Sequence, residues 1–352
     1  MFLSGLGTAT PATRYTQAQC WDALVASEHL ATLNPRSQAI LRKVLRGNNG
    51  ICSRFLAFDD LSEAFALDPD ELDARFYRHA PLVAANAARG ALANAEMTSG
   101  DIDAVIISTC TGYLCPGLSS YVSELLDLKT DILALDLVGQ GCGAALPNMR
   151  TAEALIASGR AGRVLSICVE ICSAAMYLDD DPGVLISACL FGDGAGAAVL
   201  TADPVPGRRR VRWRSAGTLL NAADRDELRF ERRRGMLRNI LTPAVPRLAA
   251  QHVDAVLTAG LEREGLTRDD ISGWILHAGG REILAAIRER LALTEHDTRW
   301  SADILRDYGN VSSPCVYFVL QAALREHAPG GYWWMSSFGA GFSCHGALLE
   351  VG

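Results

Sequence analysis

The sequence predicts an α/β protein built from two equivalent layered halves. Three observations carry this reading: strand-like and helix-like patterns alternate along the chain, the second half repeats the order of the first, and 352 residues exceed what one hydrophobic core usually organises. Hydrophobic residues make up 49% of the chain, enough to fill two cores.

The elements follow from local pattern. Ala104–Thr109 (AVIIST) is a short apolar run with β-branched residues, which predicts a strand, and a helical pattern follows over 118–128. Residues 132–138 form the next strand candidate and lead directly to Cys142. Pro147 fits only the first turn of the following helix, because an interior proline removes a hydrogen bond and clashes. Cys142 therefore sits in the turn that feeds a helix, where the partial positive charge of the N-terminus favours a thiolate. Residues 163–171 form another strand, and Phe191-Gly192-Asp193-Gly194 leads into a strand at 195–200.

The second half repeats this order. Cys142, a helix to Ser158, the strand 164–169, Phe191-Gly-Asp-Gly and a last strand correspond to Asn310, a helix to about Glu326, the strand 332–335, Phe338-Gly-Ala-Gly and a last strand. A proline follows each reactive residue, Pro147 in one half and Pro314 in the other. The seam is expected at 201–210, where Pro204, Pro206, Gly207 and three arginines break the pattern. This gives an N-terminal half at 1–204 and a C-terminal half at 205–352. Duplication then places Cys142 and Asn310 at equivalent strand ends facing one central pocket.

Composition narrows the function. A formal charge of −7 and a pI near 5.5 leave no general basic face for nucleic acid. Neither a charged-then-apolar leader nor a membrane-length apolar run is visible, so the expectation is a cytoplasmic protein without a membrane span. Ten cysteines in a chain of this length and setting read as reduced thiols. Cys168 with Cys172, and Cys110 with Cys115, lack a Cys-x-x-Cys spacing, and no paired histidines follow, which argues against a zinc site.

Three short segments carry the chemistry: Gly-Gln-Gly-Cys-Gly ending at Gly143, Ile-Leu-His-Ala-Gly-Gly ending at Gly280, and Tyr-Gly-Asn-Val-Ser-Ser ending at Ser313. Each sets one polar, reactive side chain (Cys142, His277 or Asn310) beside glycines at the end of an apolar strand, from which a loop aims into a pocket. A cysteine thiolate attacks thioesters, an imidazole holds it as an ion pair, and His and Asn N–H groups stabilise an oxyanion.

The order Cys, His, Asn, with Phe-Gly-Asp-Gly-Ala between the first two and a C-terminal Phe-Gly-Ala-Gly-Phe, resembles the type III polyketide synthases, the chalcone and stilbene synthase family on the thiolase fold. The resemblance runs from Gly-Leu-Gly-Thr-Ala-Thr-Pro at 5–11 to the last strand. It implies a thiolase-like fold with duplicated βαβαβ halves forming a five-layered αβαβα core. It further implies Cys142 as nucleophile, His277 and Asn310 for decarboxylation and oxyanion binding, and Phe191 as gatekeeper between the pantetheine tunnel and the cavity. Cys110, Thr111, Cys172 and Gly279 fall where the resemblance implies substrate-binding positions. Arg46 and Arg54 stand near 47–54, where the plant enzymes carry lysines at the coenzyme A mouth, and the second gatekeeper phenylalanine aligns with Asn239. The implied substrates are an acyl-CoA starter and malonyl-CoA, with coenzyme A arriving as part of the substrate and no metal or redox cofactor. The sparse basic residues at the mouth leave an acyl carrier protein open as donor.

The implied reaction is iterative decarboxylative condensation followed by closure to a pyrone, resorcinol or naphthalene-type product. A ketoacyl-ACP synthase III-like single condensation is the alternative, although His277-Ala-Gly-Gly departs from the His-Gln-Ala-Asn typical there. Family members are homodimers, and Thr111-Gly-Tyr-Leu-Cys-Pro-Gly resembles the loop that crosses the interface, which places Leu114 and Cys115 near the partner's cavity.

Overall fold

The computed structural model describes residues 1–352. Strand β1 (Phe2–Ala9) precedes β2 (Arg14–Thr16), helices α1 (Gln17–Ala26), α2 (His29–Thr32) and α3 (Pro35–Arg46), and β3 (Ser53–Phe55), which pairs with β2. The long helix α4 (Pro69–Ala95) leads to β4 (Ala104–Thr109), α5 (Leu118–Leu126), β5 (Leu133–Val138), α6 (Ala145–Ala157), β6 (Arg163–Glu170), α7 (Pro182–Leu190) and β7 (Gly194–Thr201). The second half runs through β8 (Val211–Leu220), the hairpin β9 (Leu228–Arg233) and β10 (Met236–Leu241), α8 (Val245–Glu264) and β11 (Ile271–Leu276). Helices α9 (Arg281–Leu291), α10 (Arg299–Tyr308) and α11 (Cys315–Arg325) precede β12 (Gly331–Gly339) and β13 (Ser343–Val351). No helix is long and apolar enough to cross a membrane.

The repeat is visible in strand order. The first half is ordered β5-β4-β6-β7-β1 and the second β11-β12-β13-β8, and a pairing of Phe2 in β1 with Arg212 in β8 joins them edge to edge. In the first half β4 is parallel to β5 and β6, while β7 is antiparallel to β6 and β1. The second half follows suit: β11 is parallel to β12, and β13 is antiparallel to β12 and β8. The halves part at β5, and also between β6 and β7, where α7 has no counterpart between β12 and β13. Where β5 leads to Cys142, helix α10 leads to Asn310.

Packing gives five layers. Helices α6 and α11 form the middle one, sharing a core with Ala104, Ile106, Val164 and Ala198 of one half-sheet and Ile275, Trp333, Met335 and Ala347 of the other. On one outer face α4 and α5 cover Val105, Ile107, Leu165 and Val199, and on the other α8 and α9 cover Trp274, Trp334 and Leu348. Strand β4 is buried along its whole length, which is why its sequence is a continuous apolar run rather than an alternation. Helix α4 lies almost on the backbone of β1. A Cβ at Gly5 would stand 2.2 Å from the carbonyl oxygen of Ala91, so only glycine facing an alanine-rich helix face permits this approach. The middle helices matter most for the site, since the N-termini of α6 and α11 both emerge at the same end of the sheets as Cys142 and Asn310.

Candidate active site

Cys142 is reached through two left-handed glycines. Gly139 and Gly141, at φ of +85° and +54°, turn the chain from β5 into a 3₁₀ turn, Gly141–Gly143, that continues into α6. The other half presses against this turn: a Cβ at Gly339 would lie 2.4 Å from the carbonyl oxygen of Gln140 and 2.5 Å from the amide of Gly143. Ser337 fixes the same turn by donating its hydroxyl to the carbonyl of Gly143 at 3.0 Å.

Asn310 follows Gly309, whose φ of +71° ends α10. Its amide donates to the carbonyl of Leu190 at 2.9 Å and its carbonyl accepts from Gly192 at 3.0 Å, so it lies as a short parallel bridge beside Phe191. In its side chain, Nδ2 donates to the carbonyl of Gly279 at 3.0 Å, and Oδ1 accepts from the amide of Ser312 at 2.9 Å. One of the two Nδ2 hydrogens is thereby used, and the second is free for a ligand.

His277 lies just past β11, where its amide donates to Ser336 at 3.0 Å and its ring meets Phe338 edge-to-face at a centroid distance of 5.1 Å. The ring is 2% exposed and its Nδ1 has no hydrogen-bond partner. Burial lowers its pKa from 6.5 to about 4, so the imidazole is neutral.

Hydrogen bonds join Cys142 and Asn310 through Ser312, and His277 is tied to them only along the chain, two residues before Gly279. The hydroxyl of Ser312 donates to the Cys142 sulfur at 3.2 Å, Asn310 fixes the Ser312 amide, and Asn310 also holds Gly279, two residues beyond His277. The expectation of a lowered thiol pKa does not hold for the resting site. Burial pushes Cys142 up to about 12, and the Ser312 hydroxyl only partly opposes this. A thiol and an imidazole buried in this way both favour their neutral forms.

Cys142 opens on a cavity of roughly 680 Å³, mouth included, lined also by Thr111, Cys172 and Phe191. Cys110 sits one step back: its sulfur donates to Glu170 Oε1 at 3.3 Å and its amide to Oε2 at 3.0 Å. Glu170, fully buried at the end of β6, also accepts from Thr111 at 3.0 Å and Ser313 at 2.6 Å, and burial raises its pKa. Neither Glu170 nor Ser312 was expected from sequence. The available signal was a single carboxylate closing the apolar run 163–171, and a serine pair directly after Asn310.

Arg54 differs from its expected place at a coenzyme A mouth. It is 3% exposed, and its guanidinium donates to Gln17 at 3.1 Å, to the carbonyls of Ala188 at 2.8 Å and Phe191 at 2.9 Å, and to the Cys20 sulfur at 3.4 Å. With its donors spent on the protein, it braces the backbone at Phe191 and has no free face for a phosphate. Asp193 supports the same loop, accepting from Ala57 at 2.7 Å and from the hydroxyl of Ser173 at 2.6 Å. Across the cavity, Arg238 binds Asp179 and Glu231 at 2.8 Å and Asp181 at 3.1 Å, which holds the β9–β10 hairpin in place. Asn239 on that hairpin lines the cavity and donates to Ser187 at 2.9 Å. No group of three or more His, Cys, Asp or Glu side chains is arranged to hold a metal ion.

Duplicated halves around two central helices, with a cysteine at the head of one of them, define a thiolase-like acyltransferase fold. The comparisons with known proteins narrow this class. Residues 27–227 match the family described as FAE1/Type III polyketide synthase-like protein, and residues 227–349 match the chalcone and stilbene synthases, C-terminal domain. The chain belongs to the type III polyketide synthase family. A 3,5-dihydroxyphenylacetyl-CoA synthase of Amycolatopsis balhimycina is 30% identical over 99% of this chain and 92% of its own length. Its counterpart in Streptomyces toyocaensis is 29% identical over 98% and 89%. Among solved structures, PKS-I of the brown alga Ectocarpus siliculosus superposes with a TM-score of 0.90 at 25% identity, covering 99% of this chain and 97% of that one. The 1,3,6,8-tetrahydroxynaphthalene synthase of Streptomyces coelicolor A3(2) gives 0.89 at 23% identity and 99% of both chains, which establishes a shared fold. These relatives support the polyketide synthase reading over a single-condensation ketoacyl-ACP synthase.

Proposed function

We propose that the enzyme loads an acyl-CoA starter onto Cys142 and extends it with malonyl-CoA, with His277 and Asn310 serving the decarboxylation. The observation that carries this is the hydrogen-bonded cluster of Cys142, Ser312, Asn310 and Gly279 at one end of a largely apolar cavity, with His277 two residues from Gly279. Because Cys142 and His277 both favour neutral forms at rest, the proton leaves the thiol within the acyl-transfer step rather than in a standing ion pair. His277 takes it as general base while sulfur attacks, and the departing coenzyme A thiolate receives it.

In the second step the malonyl thioester oxygen lies between His277 and Asn310. Nothing accepts a proton from Nδ1 of His277, so the tautomer with the proton on Nε2 loses no hydrogen bond and presents a donor there. That donor and the second Nδ2 hydrogen of Asn310 stabilise the enolate as carbon dioxide leaves. The enolate carbon attacks the Cys142 thioester, and the Cys142 sulfur is released as the chain grows by two carbons. These residues account for the chemistry without a metal or redox cofactor. Phe191 stands as gate between the coenzyme A approach and the cavity, with Arg54 bracing its carbonyl. Free coenzyme A thioesters and a carrier-protein donor both fit this scheme.

The same reading makes the enzyme a homodimer in the reducing cytoplasm. Strand β5 is a sheet edge paired on one side only, whose Leu133 is 44% and Val138 58% exposed, and Tyr113, in the loop between β4 and α5, is 69% exposed. A second copy, related by a two-fold axis, would cover that edge. The deciding experiment is mass spectrometry of the products made from malonyl-CoA alone and with short, long and aromatic acyl-CoAs. Extension by one or more malonate units, lost in Cys142→Ala, supports the reading, and loading without any extension refutes it.

A further inference from the structure

Three polar side chains on the wall of the Cys142 cavity are not used by the loading and decarboxylation steps: Tyr177, in the loop that leads into α7, Ser187 on α7, and Asn239 on the β9–β10 hairpin. Each is more than nine-tenths buried, with exposures of 8%, 6% and 7%. Asn239 donates from Nδ2 to Ser187 Oγ at 2.9 Å, which fixes both side chains and leaves the Ser187 hydroxyl hydrogen free to donate. The Tyr177 hydroxyl bonds to no protein group, and it is not among the polar atoms sealed inside the protein, so it opens on the cavity that the ring lines. Other polar side chains on this wall are already engaged. Thr111 donates to Glu170 at 3.0 Å, Ser312 to the Cys142 sulfur at 3.2 Å, and Arg229 to Asp226 at 3.1 Å and Glu231 at 3.2 Å. Tyr177 and Ser187 therefore supply uncommitted, neutral hydroxyl donors in a largely apolar cavity.

A buried phenol hydroxyl normally has an acceptor, and one that faces a substrate cavity finds it on the substrate. Neutral donors in apolar surroundings suit ketone oxygens better than a carboxylate, which calls for a cation. A chain extended by malonyl units carries a ketone oxygen on every second carbon. We propose that Tyr177 and Ser187 donate to ketone oxygens of the poly-β-keto chain reloaded on Cys142 and delay its release as a pyrone. This rests on the extension function given above. Release of a pyrone is a lactonisation: an enol oxygen of the chain attacks the thioester carbonyl carbon, a C–O bond forms, the C–S bond to Cys142 breaks, and the enol proton passes to the sulfur. A ketone oxygen held by Tyr177 cannot fold back onto that carbon, which favours the next extension over release.

Purified enzyme is given malonyl-CoA with acetyl-CoA or, in a parallel assay, with hexanoyl-CoA, and the triketide pyrone and longer products are quantified by liquid chromatography and mass spectrometry. In Tyr177→Phe, which removes only the hydroxyl, the ratio of triketide pyrone to longer products should rise about two- to tenfold over wild type, the worth of one hydrogen bond. If its melting curve reveals an unfolded protein, Asn239→Leu, which frees Ser187 from its partner, replaces it with the same expected shift. A merely structural role for the tyrosine predicts that all products fall together at an unchanged ratio. That result, or a wild type that makes only triketide pyrone, overturns the inference. Failure of the wider functional reading looks different. The absence of any malonate extension removes that reading and this one together, whereas extension with an unchanged ratio removes only this one.

Discussion

Cys142 and Asn310 occupy the same place in the two halves of the molecule, yet the chain reaches them by different routes. Strand β5 and two left-handed glycines deliver Cys142 half-buried at the cavity wall, whereas α10 and Gly309 deliver Asn310 at 3% exposure, with both ends of its side chain bonded to backbone. A nucleophile needs a carbonyl carbon to approach within bonding distance, and an oxyanion donor needs to be held still. One duplicated scaffold meets both needs with a different segment leading into each middle helix. The N-terminal half supplies access and the C-terminal half supplies fixed donors.

Replacing each residue in turn breaks this division most directly. In Cys142→Ala, acyl-enzyme formation should disappear while slow malonyl-CoA decarboxylation persists, as measured by intact mass and by carbon dioxide release. Asn310→Ala should retain loading but lose decarboxylation by about 10²–10³-fold. Equal loss of loading and decarboxylation in the asparagine variant would mean that the two halves do not divide the work.

The contact between the halves gives the next largest effect. Gly339→Ala places a methyl group where the Gln140 carbonyl and the Gly143 amide now stand, so the Cys142 turn must move. Overpacking of this kind typically costs about 1–3 kcal/mol, and a displacement near 1 Å at the nucleophile lowers turnover by about a hundredfold. A shift in melting temperature with unchanged kcat would place the strain elsewhere.

Much of this arrangement was legible in the sequence because it rests on local constraints. Pro147 marks the first turn of α6, the run AVIIST is a strand buried on both faces, and the repeated proline after Cys142 and Asn310 marks the two middle helices. The parts that were not legible depend on contacts between distant segments. Glu170 meets Cys110 and Ser313 from 60 and 143 residues away, and no spacing encodes that meeting. Arg54 follows the same logic. A basic residue near the expected mouth reads as an anion site until its partners Gln17, Ala188 and Phe191 are seen around it. The thiol pKa failed for a related reason, since a helix terminus is visible in sequence but the burial of the sulfur is not.

Burial makes the comparison testable by pH. His277 and His345, both buried, are lowered from 6.5 to about 4, so the folded chain keeps them neutral while the unfolded chain protonates them near 6.5. Their contribution to stability is complete above 6.5 and falls as pH drops towards 4. Asp193 runs the other way: raised from 3.8 to about 6, it takes up its proton in the folded state first, which restores some stability below 6. His345→Gln should therefore lose about 2 kcal/mol of the destabilisation seen between pH 7 and 5 in urea titrations. At the nucleophile, a thiol near 12 predicts that iodoacetamide labelling of Cys142 rises about tenfold per unit between pH 7 and 9. A plateau above pH 6 would instead indicate a standing thiolate–imidazolium pair.

The smallest expected effect belongs to Ser312, the one side chain from the C-terminal half bonded directly to the Cys142 sulfur. Its hydroxyl donates at 3.2 Å and lies 3.5 Å from Glu170 Oε1, so it favours the thiolate form against the burial that opposes it. One hydrogen bond of this kind contributes about 0.5–1.5 kcal/mol, and Ser312→Ala should slow acylation of Cys142 by roughly three- to tenfold. Decarboxylation by His277 and Asn310 should change less, because the Ser312 amide that fixes Asn310 Oδ1 is retained in alanine. Single-turnover loading and malonyl-CoA decarboxylation, measured on the same preparation, separate the two. A larger loss in decarboxylation than in loading would mean that Ser312 acts through Asn310, and that the C-terminal half reaches the nucleophile by positioning alone.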